Sequence, residues 1–433
     1  MTSQQSYQLL FAIALILILA RVFGLLARRL GQPAVVGEIL LGIALGPSLL
    51  SASLSAQLIP LDIRPSLSAL SDIGVAIFMF LVGLEVDHRT LRRESRRAAG
   101  TAAGAMVLPL VLGCLLATEL WHQNKVSSHV GFVLFFGTAI SMTAFPVLAR
   151  ILTEEKMRDT EVAGTALTAA AIGDVAVWSL LALVLAFTDH QSTWRLLLTI
   201  PYIAVMLLGV RPALSRLLGR SAKGEAANGN GSGTEDGLST GALIAVIVIV
   251  FASGGATEWF GLHFIFGAFF VGLIFPRVST NAVSEQIADR VGVVGNALLM
   301  PIYFVLAGLN VNLRTMGRSS LPELGLILLV AIGSKLIGGY LGARASGVDR
   351  RQSTVIGILM NTRGLTELII LGVGLQLHYL STQLYSLMVV MAVVTTAMTG
   401  PLLQLSYPLR IRMKRTVPGL AVAAAMGPDT DAL

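Results

Sequence analysis

Windows of about 20 mainly apolar residues recur thirteen times along this chain. They lie at about 7–28, 34–50, 66–86, 98–120, 129–150, 161–187, 195–218, 238–257, 260–276, 290–311, 321–343, 352–376 and 380–407, with the eighth and ninth divided at Glu258-Trp-Phe-Gly261. About 20 residues of helix cross a hydrocarbon core, and a helix satisfies its backbone groups without water. The windows therefore predict an all-α polytopic membrane protein. Composition agrees: of 433 residues, 55% are hydrophobic, 13% are charged, and the mean hydropathy is +0.78, whereas about a quarter of the residues in a soluble domain are charged. The first run, Tyr7 to Ala20, continues through Arg21 to Arg28 with no small-residue cleavage site, so it reads as a retained helix and not a signal peptide.

The net charge of +7 does not point to nucleic acid, because the basic residues follow the loops. With the N-terminus outside, 23 of the 31 Lys and Arg fall in inner loops and the tail, 5 in outer loops, and Arg21, Lys335 and Arg363 inside spans. By the positive-inside rule this predicts a cytoplasmic C-terminus. The single cysteine, Cys114, lies in an apolar run and permits no intrachain disulfide or Cys-based metal site. No GxxxxGK[ST] or strand-borne GxGxxG occurs, and the six histidines lack metal-ligand spacing; no cofactor and no ATP-driven step are expected.

Residues 219–237, rich in Gly, Ser and Asn, read as a flexible cytoplasmic linker within one transmembrane domain, 1–433. The linker leaves six spans in a first repeat, about 7–187, and six in a second, about 238–407, with the seventh helix between them. An odd number of spans from one start to the other makes the repeats inverted, a plan common among transporters. A short tail, 408–433, follows.

Two windows carry polar islands at corresponding places. The fifth contains Gly137-Thr-Ala-Ile-Ser-Met-Thr-Ala-Phe-Pro146, and the twelfth contains Met360-Asn-Thr-Arg-Gly-Leu-Thr-Glu367. A helix interrupted in mid-membrane frees N–H and C=O groups, which is tolerated where they line a cavity or bind an ion. The sixth window holds Asp174, an acid placed deep in an apolar helix at a cost of about 3 kcal/mol or more. The eleventh holds Lys335, which needs a partner; Asp174 and a backbone break are the candidates. The cation ligands expected from these residue types are the Asp174 carboxylate, hydroxyls of Ser141, Thr143 or Thr362, and the Asn361 amide. Thr138, Arg363 and Glu367 are expected to support the broken helices.

Six stretches in order carry a resemblance: Gln32-Pro-Ala-Val-Val-Gly-Glu-Ile-Leu-Leu-Gly42 with Gly46-Pro-Ser48, Phe80-Leu-Val-Gly-Leu-Glu-Val-Asp87, Thr138-Ala-Ile-Ser-Met-Thr-Ala-Phe-Pro-Val-Leu-Ala-Arg150, His263-Phe-Ile-Phe-Gly-Ala-Phe269, Pro301-Ile-Tyr-Phe-Val-Leu-Ala-Gly308 and Met360-Asn-Thr-Arg-Gly-Leu-Thr-Glu-Leu368. Over almost its whole length the chain resembles the second branch of the monovalent cation:proton antiporter superfamily, which includes bacterial Na+/H+ and K+/H+ antiporters and plant cation/proton exchangers. The resemblance implies a homodimer in the cell membrane. Each protomer would have a dimerisation domain and a mobile core in which two broken helices cross at the midplane. Asp174 would bind H+ and Na+ or K+ in turn, and Lys335 would stabilise the core beside it.

One departure stands out. Family members usually carry Asn-Asp or Asp-Asp at the site, and this chain has Gly173-Asp174. Glycine supplies neither an amide nor a second carboxylate, which favours electroneutral exchange or a site that no longer transports. The competing expectation is a membrane enzyme or binding protein that reuses the scaffold on an apolar organic substrate, with Asp174 as acid/base.

Overall fold

The computed structural model describes residues 2–50, 52–85, 95–121, 128–154, 157, 160–188, 198–218, 240–276, 281–315, 317 and 320–406. The expected linker at 219–237 and tail at 408–433 lie outside the described residues, as do several of the basic loop positions behind the orientation. Within them every predicted window falls on helix. In chain order the helices are α1 (Ser3–Arg29), α2 (Ala34–Leu45), the short α3 (Ala52–Leu58), α4 (Arg64–Glu85), α5 (Ser95–Trp121), α6 (His129–Ser141), α7 (Phe145–Glu154) and α8 (Glu161–Thr188). The second half follows with α9 (Thr199–Leu218), α10 (Thr240–Trp259), α11 (Phe264–Ile274), α12 (Asn281–Val294, continued through a π turn into Met300–Leu309), α13 (Ser320–Ala345), α14 (Arg350–Met360), α15 (Leu365–Gln376) and α16 (Thr382–Ser406). Ten helical stretches among the described residues are long and apolar enough to cross a membrane, with the shorter apolar helices Ala34–Leu45, Phe264–Ile274 and Thr366–Gln376 beside them. The division of the eighth and ninth windows lies at 260–263, where Gly261 takes φ +88° between α10 and α11.

The helices pack in two groups. In the first, α1, α2, α4, α10, α11 and α12 pack on one another; in the second, α5, α6, α7, α8, α13, α14, α15 and α16 do. Small residues make both groups dense. A Cβ on Gly42 of α2 would lie 2.3 Å from the Val305 carbonyl of α12, and one on Gly104 of α5 would lie 2.4 Å from the Gly338 carbonyl of α13. Where lipid offers no hydrophobic drive between helices, such close approach supplies the van der Waals contact that holds them together. The first group thus draws three spans from each half of the chain, and so does the second.

Candidate functional site

The fifth span breaks because of its proline. Pro146 sits in the first turn of α7, where its missing N–H is harmless, but a continuous helix would drive its ring into the carbonyl of Met142. The helix α6 stops at Ser141 and Met142 turns extended, at φ −71° and ψ 144°. The twelfth span breaks over Asn361, Thr362, Arg363 and Gly364. Gly364 is required by proximity: a Cβ there would lie 2.4 Å from Cγ2 of Val147 on α7.

The two breaks meet and bond to each other. The Ala144 N–H donates to the Thr362 carbonyl at 3.0 Å, and the Thr143 hydroxyl donates to the Met360 carbonyl at 3.0 Å. A helix end leaves four carbonyls without intrahelical partners, and all four at the end of α6 are accounted for. Ser141 Oγ donates to the Thr138 carbonyl (2.8 Å). Arg363 Nη1 and Nη2 donate to Ala139 (3.2 Å) and Ile140 (2.7 Å). Lys335 Nζ reaches the Ser141 carbonyl (2.5 Å) and Thr143 Oγ1 (2.6 Å). Two cations therefore stand at the negative end of one half-helix, where its dipole favours them. Arg363 is also paired with Glu367 at 2.7 Å, both side chains fully buried, and Thr396 of α16 bonds the Arg363 carbonyl at 2.7 Å.

Asp174 lies on α8, which packs on α5, α6, α7 and α14 and so touches both broken spans. It is 1% exposed, and with Arg363 and Glu367 it is one of the charges electrostatically coupled to Lys335. One turn further along α8, Trp178 packs edge-on against Phe266 of α11 at 6.1 Å, so the helix of the acid borders the first group. Of the two partners expected for Lys335, the backbone break takes its hydrogen bonds and the acid lies within its field.

The hydroxyls divide by the bonds they already make. Thr138 Oγ1 donates back to Leu134 within its own helix (2.7 Å). Thr143 joins Lys335 to the second break and retains one lone pair. Ser141 and Thr362 donate to backbone carbonyls, which leaves acceptor lone pairs on each. Asn361 differs: it is fully buried, and neither atom of its amide has a hydrogen-bond partner among the described residues. Thr366 Oγ1, in the first turn of α15, is likewise buried and without such a partner. A buried polar group of this kind requires an explanation. Gly173 leaves room beside Asp174, since a Cβ there would meet nothing within 4 Å.

Sequence reasoning missed Thr396 and Thr366. The run Thr395-Thr396-Ala-Met-Thr399 inside an apolar window was the available signal for Thr396.

Known proteins share this chain's sequence and arrangement. A family model described as the transmembrane sodium/hydrogen exchanger matches residues 13–405. The sodium/proton antiporter NhaS4 of Synechocystis is 38% identical over 407 residues, covering 92% of this chain and 96% of its own. Cation/proton antiporter 17 of Arabidopsis thaliana is 37% identical over 92% of this chain, which spans about half (48%) of the plant protein. Among solved structures, the sodium proton antiporter MjNhaP1 of Methanocaldococcus jannaschii superposes with a TM-score of 0.59 over 95% of this chain and 99% of its own, at 13% identity, a likeness of fold.

Proposed function

The chain belongs to the transmembrane sodium/hydrogen exchanger family, and from that membership we propose how it works: as a secondary-active monovalent cation/proton antiporter in which Asp174 carries H+ and Na+ or K+ in turn. The observation that carries this reading is a carboxylate 1% exposed, on a helix packed against two broken spans that bond to each other at their breaks. Proton and cation cannot share one carboxylate, so binding one expels the other, and this couples their movements.

The cation's ligands are the Asp174 carboxylate, Ser141 Oγ, Thr362 Oγ1 and the Asn361 amide, with the last lone pair of Thr143 within the same crossing. Asn361 has the strongest support, because its buried amide makes no protein hydrogen bond among the described residues. Lys335 and Arg363 hold the end of α6, and Arg363 with Glu367 forms a neutral pair, so the crossing keeps its shape whichever ion Asp174 holds. With Gly173 in place of a second polar group, one positive charge replaces another at a single acid, and exchange is electroneutral.

Alternating access follows if the second helix group, which holds the site, moves as a body against the first. That each group takes three spans from either half of the chain supports two inverted repeats. We place the protein in the plasma membrane as a homodimer with its C-terminus in the cytoplasm, on the strength of the Lys/Arg asymmetry and the family. The family and the relatives above are transporters, so a repurposed membrane enzyme is not favoured.

Reconstituted into proteoliposomes, the wild type should move protons when Na+ or K+ is added, and Asp174→Asn should lower that flux to background while the protein remains folded. Coupled exchange retained in the Asn variant would remove Asp174 from the carrier role.

A further inference from the structure

The seam between the two helix groups is built differently at its two ends. Helix α2 runs along it from Pro33 to Leu45, and Ser48 just beyond bonds the Val311 carbonyl (2.7 Å) after α12; that end is crossed by hydrogen bonds from three places. Tyr385 of α16, 1% exposed, donates its hydroxyl to the Ala307 carbonyl of α12 at 2.9 Å. Its neighbour Ser386 accepts the backbone N–H of Asn312 at 3.0 Å. His263, at the start of α11, meets Gln376 at the end of α15 at 3.5 Å. Each joins a residue of one group to a residue of the other. At the opposite end, where α2 begins, the seam holds a cleft. Pro33, Val36 and Ile39 line one side of it, and Arg363, Gly364 and Val393 the other, so it reaches the second break. Among the described residues, Gln32 Nε2 donates there to the Ala397 carbonyl at 3.3 Å, a longer bond than those of Tyr385 and Ser386.

We propose that Tyr385 and Ser386, supported by Gln376, form a latch that holds the seam shut at the Ser48 end and leaves the site reachable from the cleft end. The latch must open whenever the site is presented to the Ser48 side. Its chemistry suits that task. Tyr385 and Ser386 bond backbone atoms of the first group, so the partners persist whatever side chains surround them. Neutral hydrogen bonds of this kind contribute little individually and break without leaving a buried charge. Adjacent positions on α16 make the two bonds part together when that helix moves. The proposal rests on the reading that the two groups move against each other, and its test is read independently of transport.

A cysteine at position 372 reports the seam. Gly372 of α15 faces the hydroxyl of Tyr303 on α12, and a Cβ there lies 3.7 Å from that oxygen, an ordinary contact. Cys114 is the single native cysteine, so G372C in a C114A background gives one thiol at this place. Proteoliposomes would be treated with a membrane-impermeant maleimide from either side. Y385F combined with S386A should raise the labelling rate of position 372 from the Ser48 side by about 5- to 100-fold, the population shift set by losing two typical buried hydrogen bonds. An unchanged rate with folded protein overturns the latch. In a second arm, N312C with S386C is oxidised with diamide and the bridge verified by mass; exchange should stop and return on reduction. Undiminished exchange by the bridged protein also overturns it. If the wild type shows no exchange at all, antiport is the reading that fails, and the labelling arm still decides the latch.

Discussion

At the residue scale the chain offers one acid and an empty place beside it. Asp174 was legible in the sequence because a carboxylate amid apolar residues is costly and conspicuous. Its surroundings were not, since the helix that carries it packs on four others and such packing has no local signature. Gly173 illustrates both sides. The sequence shows that a polar residue is missing, and the structure adds that the space for one is open, with nothing within 4 Å of a Cβ. Gly173→Asn should therefore fold and express like the wild type, with a melting temperature within about 2 °C of it, the range of a substitution that meets no steric conflict. Its amide would add a ligand next to Asp174, so the ratio of apparent KM values for Na+ and K+ should change by severalfold. An unaltered ratio measured by proton flux would show that position 173 does not touch the ion.

At the element scale, both interruptions could be found from polar islands in apolar windows, and Pro146 gave one of them a steric cause. How the free ends are satisfied could not be found that way. Ser141 from the helix itself and two positions remote in sequence, Lys335 and Arg363, complete the end of α6. Arg363 and Glu367 stand four apart, a spacing that pairs side chains on one continuous helix; in the structure the pair bridges from the break into the first turn of α15. Glu367→Gln leaves the Arg363 charge buried with less compensation, which costs about 3–5 kcal/mol. A fall in the thermal midpoint of the detergent-purified protein by several degrees is expected. A midpoint equal to the wild type would mean that the carbonyls of Ala139 and Ile140 suffice for the guanidinium.

For the whole molecule the proposed mechanism is competition between two ligands for one acid inside a body that would present it to alternate sides. By linkage each ligand weakens the other's binding by the same factor. A proton on Asp174 excludes the cation, so as pH falls below the site's own proton affinity the apparent KM for the cation should rise about tenfold per pH unit, with the rate at saturating cation unchanged. Measured on proteoliposomes across pH 6 to 9, a KM independent of pH would contradict a shared carboxylate. Gly173 also enters here: with one exchangeable charge per cycle, an imposed membrane potential should leave the rate unaffected.

The sequence by itself determined that this chain crosses a membrane many times as helices, where two of them break, and which acid stands in the apolar interior. Those features follow from solvent: lipid imposes segment length, forbids unsatisfied backbone, and makes every buried charge visible as an exception. Tertiary structure alone decided that Lys335 spends its hydrogen bonds on a helix end, that Asn361 keeps an amide without a hydrogen-bond partner among the described residues, and that the helices pack in two groups. These depend on which helices lie side by side and on contacts of 2.5 to 3.2 Å between residues 194 to 224 positions apart, and hydropathy along a chain carries no record of either.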